Sequence, residues 1–147
     1  MATVHLGRQV GAGGFARIVA IKRLHPQYAR HPDFVAMFLD EARLVARVRH
    51  PNVVQTLDVV ATGGELFVVM EYVHGESFSR VLDRHPHLPP RIAAAVVAGA
   101  LHGLHAAHVA ESETGERLHV VHRDVSPQNV LVGMDGVARI IDFGVAK

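Results

Sequence analysis

The sequence predicts an α+β fold, with strand-like segments in the first half and helical and hairpin segments in the second. Short apolar segments bounded by glycine or polar turns indicate strands at residues 4–6, 18–24, 53–62 and 65–72. Two longer segments carry apolar residues at helical spacing, Asp33–Arg49 and Arg91–His108. Near the end, two short apolar segments flank the turn Met134–Gly136, which indicates a β-hairpin.

The first two strands are expected to be joined by a turn at Gly11–Gly14. The same glycines also have the composition of a phosphate-binding loop. However, Gly14 lies only eight residues before Lys22. That spacing is too short for the second strand of a hairpin, a turn and a third strand, so the turn is the preferred interpretation.

The remaining elements are bounded by start and stop signals. Asp33 is expected to cap its helix, and Gly63-Gly64 to turn a second hairpin. Ser77–Asp83 is predicted to be a short helix that ends at the proline-rich segment 85–90. Arg91–His108 is so rich in alanine and valine that we expect it to lie inside a helical domain.

Two carboxylates and one carboxamide recur at fixed intervals near the end of the chain, at Asp124, Asn129 and Asp142. A hairpin between Val130–Val132 and Val137–Ile141 would bring Asn129 and Asp142 to the same end of the ribbon. Oxygen ligands gathered in this way suit Mg²⁺, which takes few protein ligands and completes its shell with phosphate and water. Asp124 lies beside them, where it could accept a hydroxyl proton.

Composition excludes several classes of function. The 147 residues suffice for one modest domain, and the net charge of +1 gives no electrostatic basis for binding nucleic acid or a membrane surface. There is no cysteine, which excludes disulfides and thiolate chemistry. No signal peptide is visible, and the longest apolar run, Ile92–Leu101, is too short to span a bilayer. A cytoplasmic protein without a membrane segment in this chain is expected.

Three histidines recur every three residues on the long helix: His102, His105 and His108. They could form one face of a metal site, but no carboxylate or cysteine completes it. Packing or helix-end roles are therefore the preferred interpretation.

The segment His122–Asn129 and the triplet Asp142-Phe143-Gly144 resemble the catalytic loop and the metal-binding loop of the protein kinases. The resemblance implies phosphoryl transfer from ATP, with Mg²⁺, to a Ser or Thr hydroxyl of a protein substrate. In that family the counterpart of Asp124 accepts or orients the hydroxyl proton, and the counterparts of Asn129 and Asp142 hold Mg²⁺. His122 and Phe143 are expected to be structural, and Arg123 would pair with a phosphorylated residue of an activation loop.

Two further residues match the family's phosphate-holding ion pair. Val19-Ala20-Ile21-Lys22 is similar to the kinase strand whose lysine holds the α- and β-phosphates, and Glu41 matches the glutamate that pairs with that lysine. We therefore expect an ion pair between Lys22 and Glu41. Without the resemblance, a solvated lysine and a local pair between Glu41 and Arg43 or Arg47 would be the simpler interpretation.

The resemblance also implies a set of residues around ATP. Glu71-Tyr72-Val73 resembles the hinge, where the carbonyl of Glu71 and the amide of Val73 would bind adenine, with Met70 beside the pocket. The other residues implied in ATP binding are Val4, Ala20, Lys22 and Leu131. Val4 would be the valine at the end of a glycine-rich loop, and Leu131 would form the floor of the adenine pocket.

The resemblance runs from the end of a glycine-rich loop to just past Asp142-Phe143-Gly144, so the expected fold is two-lobed, kinase-like and truncated at both ends. Residues 1–73 would form most of the small antiparallel-sheet lobe, and residues 74–147 the first part of the helical lobe. The activation loop and substrate platform would be missing, so one apolar face of Arg91–His108 is expected to be exposed.

Two positions depart from the family's pattern. Ala2 stands where the third glycine of the glycine-rich loop is expected, and Ser126 stands where Ser/Thr kinases usually carry a lysine that reaches the γ-phosphate. The missing charge at Ser126 bears on the choice between Ser/Thr and Tyr kinases, although the rest of the pattern is similar to bacterial Ser/Thr kinases of eukaryotic type. Two alternatives remain open: a nucleotide-binding module without transfer activity, and an inactive kinase fragment.

Overall fold

The computed structural model describes residues 2–29 and 31–143, without the side chains at positions 28, 29, 32 and 41. The chain divides into two compact units. The first contains the residues up to Ala46 together with Gln55–Tyr72, and the second contains Arg47–Val54 together with the residues from Val73 onward. The assignment of residues 1–73 and 74–147 to two kinase lobes stays a prediction.

The first unit is built on a four-stranded antiparallel sheet with the strand order β1-β2-β4-β3. Its strands are β1 (Ala2–Val10), β2 (Ala16–Leu24), β3 (Thr56–Thr62) and β4 (Glu65–Glu71). Two helices, α1 (Pro26–Ala29) and α2 (Pro32–Ala46), lie between β2 and β3 in the chain. The core of this unit includes Val19, Phe38 and Leu66, each at most 2% exposed.

The first hairpin confirms the turn predicted at Gly11–Gly14. Residues 12–14 form a single 3₁₀ turn, in which Gly13 has φ 78° and Gly14 has φ 81°. These backbone angles favour glycine, because a Cβ atom is strained there. Strand β1 is longer than the predicted 4–6, since its backbone pairing with β2 continues through polar residues such as Arg8 and Gln9 that interrupt the apolar pattern.

Helix α2 differs from its prediction at both ends. The helix begins at Pro32, so Asp33 lies in its first turn rather than at the cap. It ends at Ala46 rather than at Arg49, because the chain from Arg47 belongs to the second unit. For the same reason the predicted strand at 53–62 begins only at Thr56. The turn predicted at Gly63-Gly64 is confirmed, with φ 58° and 75°.

The second unit combines a three-stranded antiparallel sheet, in the order β5-β6-β7, with two helices. Its elements are β5 (Gly75–Ser77), α3 (Phe78–Arg84), α4 (Pro90–His108), β6 (Val130–Gly133) and β7 (Ala138–Ile140). Ser77 caps α3 by accepting a hydrogen bond from the Arg80 amide at 3.3 Å. Strand β5 was not predicted, because three residues leave no periodic signal.

Helix α4 has one buried face and one exposed apolar face. Val96, Ala100, Gly103 and Ala107 are buried at helical spacing. Val97 is 48% exposed and Leu101 57%, and both line a shallow apolar groove of about 180 Å³ that also involves Val125 and Pro127. The exposed apolar face predicted for this helix is confirmed. Among the helices that the structure describes, none combines the length and the apolar character needed to cross a bilayer.

Lysine substitutions at two adjacent valines should distinguish the buried face of α4 from its exposed face. We expect Val97→Lys to change the free energy of unfolding by no more than about 0.5 kcal/mol, because the site is solvent-exposed. It should also reduce binding of a hydrophobic dye. Val96→Lys buries an unpaired charge and should destabilise the protein by about 3 kcal/mol or more. Urea denaturation measures both, and equal effects would contradict the assignment of the faces.

Candidate active site

A β-hairpin forms the centre of the candidate site, as predicted. β6 and β7 pair antiparallel with Val130 opposite Ile140. Beyond this pair, the Ile141 amide donates to the Asn129 carbonyl at 3.0 Å. Asn129 and Asp142 therefore lie at the same end of the hairpin, which confirms the geometric prediction made from their spacing.

Asn129 is also joined directly to Asp124. Its Nδ2 donates to the carbonyl of Asp124 at 2.9 Å and to Oδ2 of the Asp124 carboxylate at 3.2 Å. A 3₁₀ turn over Pro127–Asn129 holds this geometry, with the Asn129 amide donating to the Ser126 carbonyl at 2.9 Å. Both Asn129 contacts use Nδ2, the amide donor. The remaining side-chain oxygen, Oδ1, is the kind of neutral oxygen ligand that suits Mg²⁺.

His122 ties the segment that carries Asp124 to the hairpin from inside the unit. It is 1% exposed, and its Nε2 lies 2.9 Å from the carbonyl oxygen of Ile141, which can only accept. Nδ1 must then accept the hydrogen bond from the Asp124 amide at 3.3 Å, so the neutral tautomer with hydrogen on Nε2 fits both contacts. The ring also packs on Phe143, with centroids 4.8 Å apart. Both side chains are buried, as a structural role requires.

Two residues of the site adopt backbone angles that favour glycine. Arg123 has φ 62° and Asp142 has φ 57°. Such angles in non-glycine residues cost about 1–3 kcal/mol each and persist only where the surroundings hold them. Neither could be predicted, because the residue types give no signal for this conformation.

The far end of the hairpin carries an ion pair between Asp135 and Arg139. Arg139 donates to the two carboxylate oxygens of Asp135 at 3.1 and 2.6 Å, and the Val137 amide donates to Oδ1 at 3.1 Å. Chiefly through the hydrogen bond from Arg139, these contacts lower the pKa of Asp135 from 3.8 to about 2.

Four of the predicted ATP-binding residues share one face of the sheet in the first unit. Val4 lies opposite Lys22 in the β1–β2 pair, and Ala20 lies opposite Met70 in the β2–β4 pair. Directly opposed residues point to the same face, as do residues two apart on a strand, such as Ala20 and Lys22. The register therefore brings Val4, Ala20, Lys22 and Met70 together within this unit.

Glu71 ends β4 and is held by its side chain. Its carboxylate accepts from the Gln55 amide at 3.0 Å, and its own amide donates to the Gln55 carbonyl at 3.0 Å. Val73 belongs to the second unit. Leu131 lies half-buried on β6, opposite Ser77. Glu41 lies in α2, but its side chain is outside the described residues, so its pairing with Lys22 stays a prediction.

No group of three or more His, Asp or Glu side chains among the described residues is arranged to hold a metal ion. The donors at the end of the hairpin are of a different kind, one carboxylate and one amide oxygen. Such a sparse set fits Mg²⁺ bound together with phosphate and water better than it fits a closed protein cage.

Comparison with known protein families identifies the family of this chain. A family model for the protein kinase domain matches residues 4–147. The chain belongs to this family. The match confirms the predicted resemblance to protein kinases, and a solved kinase-domain structure confirms the predicted kinase-like α+β fold.

The chain is 32% identical to the crystallised PknI kinase domain of Mycobacterium tuberculosis, with a TM-score of 0.73 over 100% of this chain and 56% of that one. Among curated proteins, it is 43% identical over 152 residues to the tyrosine-protein kinase MasK of Myxococcus xanthus, covering 23% of that protein. It is 41% identical over 137 residues to the serine/threonine-protein kinase PkaB of Streptomyces coelicolor, covering 31% of it. The chain thus spans about a quarter to a third of the length of the two curated relatives, MasK and PkaB.

The ion pair at the far end of the hairpin makes a pH-dependent contribution that Asp135→Asn should remove. Because the pKa is lower in the folded state, the ionised carboxylate stabilises the fold above pH 3.8, and this stabilisation is lost as the pH falls toward about 2. The variant should therefore be less stable than the parent at neutral pH and equally stable near pH 2. Urea denaturation at several pH values measures the difference, and a difference that stays constant with pH would contradict the assignment.

Proposed function

We propose that the chain is the catalytic part of an ATP-dependent protein kinase that transfers the γ-phosphoryl group of Mg-ATP to Ser or Thr hydroxyls of a protein substrate. The observation that carries the proposal is the bond from Asn129 to the Asp124 carboxylate, at the hairpin end that leads to Asp142. One side chain thus links the proposed base to the proposed metal ligands. We place the reaction in the cytoplasm, where ATP is available.

Asp124 would act on the substrate hydroxyl. Its carboxylate is exposed and is oriented by the Asn129 amide, so one oxygen can accept the hydroxyl hydrogen while the hydroxyl oxygen faces the γ-phosphorus. As the new O–P bond forms, the bond to the β-phosphate oxygen breaks, ADP leaves, and Asp124 takes the proton. Positioning and charge stabilisation supply most of the rate in this class of reaction.

Asn129 and Asp142 would hold Mg²⁺ through an amide oxygen and a carboxylate. When bound, the ion offsets negative charge on the phosphates. Lys22, supported by Glu41, would contribute a further positive charge against the α- and β-phosphates. Adenine would contact the sheet face that bears Val4, Ala20 and Met70, together with Leu131, and would bind the backbone of Glu71 and Val73.

Ser/Thr specificity is the preferred assignment. MasK carries the name of a tyrosine kinase, whereas PkaB carries the name of a serine/threonine kinase. Ser126 lacks the positive charge that Ser/Thr kinases usually have at its position. Phosphoamino-acid analysis of a generic protein substrate distinguishes the two, and phosphotyrosine as the main product would overturn the assignment.

Removal of the base should abolish transfer without abolishing nucleotide binding. Asp124→Asn keeps an oxygen that can accept from Asn129 but has no basic carboxylate, so we expect the transfer rate from labelled ATP to fall about 10²–10⁴-fold. Mg-ATP should still raise the melting temperature of the variant. A parent chain that binds Mg-ATP without detectable transfer would favour the alternative of a nucleotide-binding module.

Stabilisation by ATP should depend on Mg²⁺ and on Asp142. A ligand that binds only the folded state raises the melting temperature, so the parent should show a larger shift with ATP and Mg²⁺ than with ATP and a chelator. Asp142→Asn removes the charged metal ligand and should abolish the Mg²⁺-dependent part. Asp135→Asn, at the other end of the same hairpin, should retain it. A Mg²⁺-dependent shift of parental size in Asp142→Asn would contradict the assigned metal site.

A further inference from the structure

The segment His50–Val54 pairs with the hairpin as an additional short strand. Val53 and Ile140 form a parallel bridge. The Ile140 amide donates to the Asn52 carbonyl at 2.8 Å, and the Val54 amide donates to the Ile140 carbonyl at 2.9 Å. Strand β7 is therefore hydrogen-bonded on both edges, by β6 on one side and by this segment on the other.

Asn52 adds a side-chain bond to this pairing. Its Nδ2 donates to the Ala138 carbonyl at 2.7 Å. Asn52 thus bonds to Ala138, the first residue of β7, through its side chain, and to Ile140, the last residue, through its backbone. The His50 ring supports the turn, because its Nδ1 accepts from the Asn52 amide at 3.2 Å and the Val53 amide donates to the His50 carbonyl at 3.0 Å.

Helix α4 closes over the same residue. A Cβ atom at Gly103 would collide with the Asn52 carbonyl oxygen, and one at Gly99 would lie 3.1 Å from Asn52 Nδ2. Two glycines one helical turn apart therefore let the helix approach the Asn52 backbone closely. Asn52 is half-buried and is contacted by α4 on one side and β7 on the other.

We infer that Asn52 is a positioning residue for the metal site, acting through β7 on Asp142. The inference rests on the proposed function. From Ile140, which Asn52 holds, the chain passes through Ile141 to Asp142 without any intervening loop. The role of Asn52 was not predicted, because an asparagine after His-Pro has the composition of an ordinary turn.

The demands of Mg²⁺ make this position sensitive. The ion requires near-ideal octahedral geometry, so a small displacement of one carboxylate weakens binding. Loss of the Asn52 amide would also leave the Ala138 carbonyl without this partner inside the unit. Substitution of residues that orient metal ligands typically lowers metal affinity about 10–100-fold.

The test compares Asn52→Ala and Gly103→Ala with a matched control, Gln55→Ala. Gln55 also donates its side-chain amide to backbone carbonyls, but those carbonyls, of Ala46 and Thr56, belong to the first unit and not to β7. Gly103→Ala leaves the Asn52 side chain intact and raises helix propensity, so any loosening of β7 must come from the collision with the Asn52 carbonyl.

Two readouts are needed. Hydrogen exchange should show faster exchange of the Ile140 and Val54 amides in both test variants, with β2 and β4 unchanged. The Mg²⁺ concentration that gives half of the ATP-dependent thermal shift should rise at least about tenfold in Asn52→Ala and Gly103→Ala, and stay at the parental value in Gln55→Ala.

The outcomes separate the two proposals. A parent chain without a Mg²⁺-dependent shift overturns the proposed function and this inference with it. A parent that responds, with Asn52→Ala responding at the same Mg²⁺ concentration, overturns the inference alone, whether or not exchange at Ile140 has changed. Global unfolding of both test variants would also overturn it, because Asn52 would then serve stability in general.

Discussion

The arrangement of the site depends on the backbone groups of one residue, Ile141. Its amide donates to the Asn129 carbonyl, and its carbonyl accepts from the buried ring of His122. The first bond closes the end of the hairpin at which Asn129 and Asp142 lie. The second holds the segment that carries Asp124. Because the N–H and the carbonyl of one residue make these two contacts, the segment that carries Asp124 and the hairpin end that leads to Asp142 are both tied to Ile141.

This arrangement explains why strained backbone is tolerated. Arg123 follows His122 and Asp142 follows Ile141, and both have positive φ. Each strained residue is thus adjacent to a residue that the Ile141 network holds from inside the unit. The positive φ angles stand at Asp142, two residues after the end of β7, and at Arg123, directly before Asp124. Neutral hydrogen bonds contribute about 0.5–1.5 kcal/mol net each, so the three bonds of this network together are of the same order as the strain.

The sequence predicted what depends on local pattern and missed what depends on distant contacts. The hairpin around Met134–Gly136, the long helix and the glycine turns follow from periodicity and turn chemistry, and the spacing of Asn129 and Asp142 was enough to place them together. The end of α2 and the start of β3 could not be predicted. The residues between them pair with Ile140, which lies far along the sequence, so local pattern does not indicate where either element stops. Asn52 was missed for the same reason, although Gly99 and Gly103 one turn apart were a possible signal.

Ser126 illustrates how a departure from a family pattern can leave the geometry intact. The Asn129 amide bonds to the main-chain carbonyl of Ser126, a contact that almost any residue at this position could provide. The side chain at 126 is half-buried and lines the apolar groove beside α4. The orientation of Asn129 toward Asp124 therefore does not require a lysine at 126. What the serine lacks is the positive charge that Ser/Thr kinases usually carry at this position, an electrostatic difference separable from the hydrogen bonds that set the positions of Asp124 and Asn129.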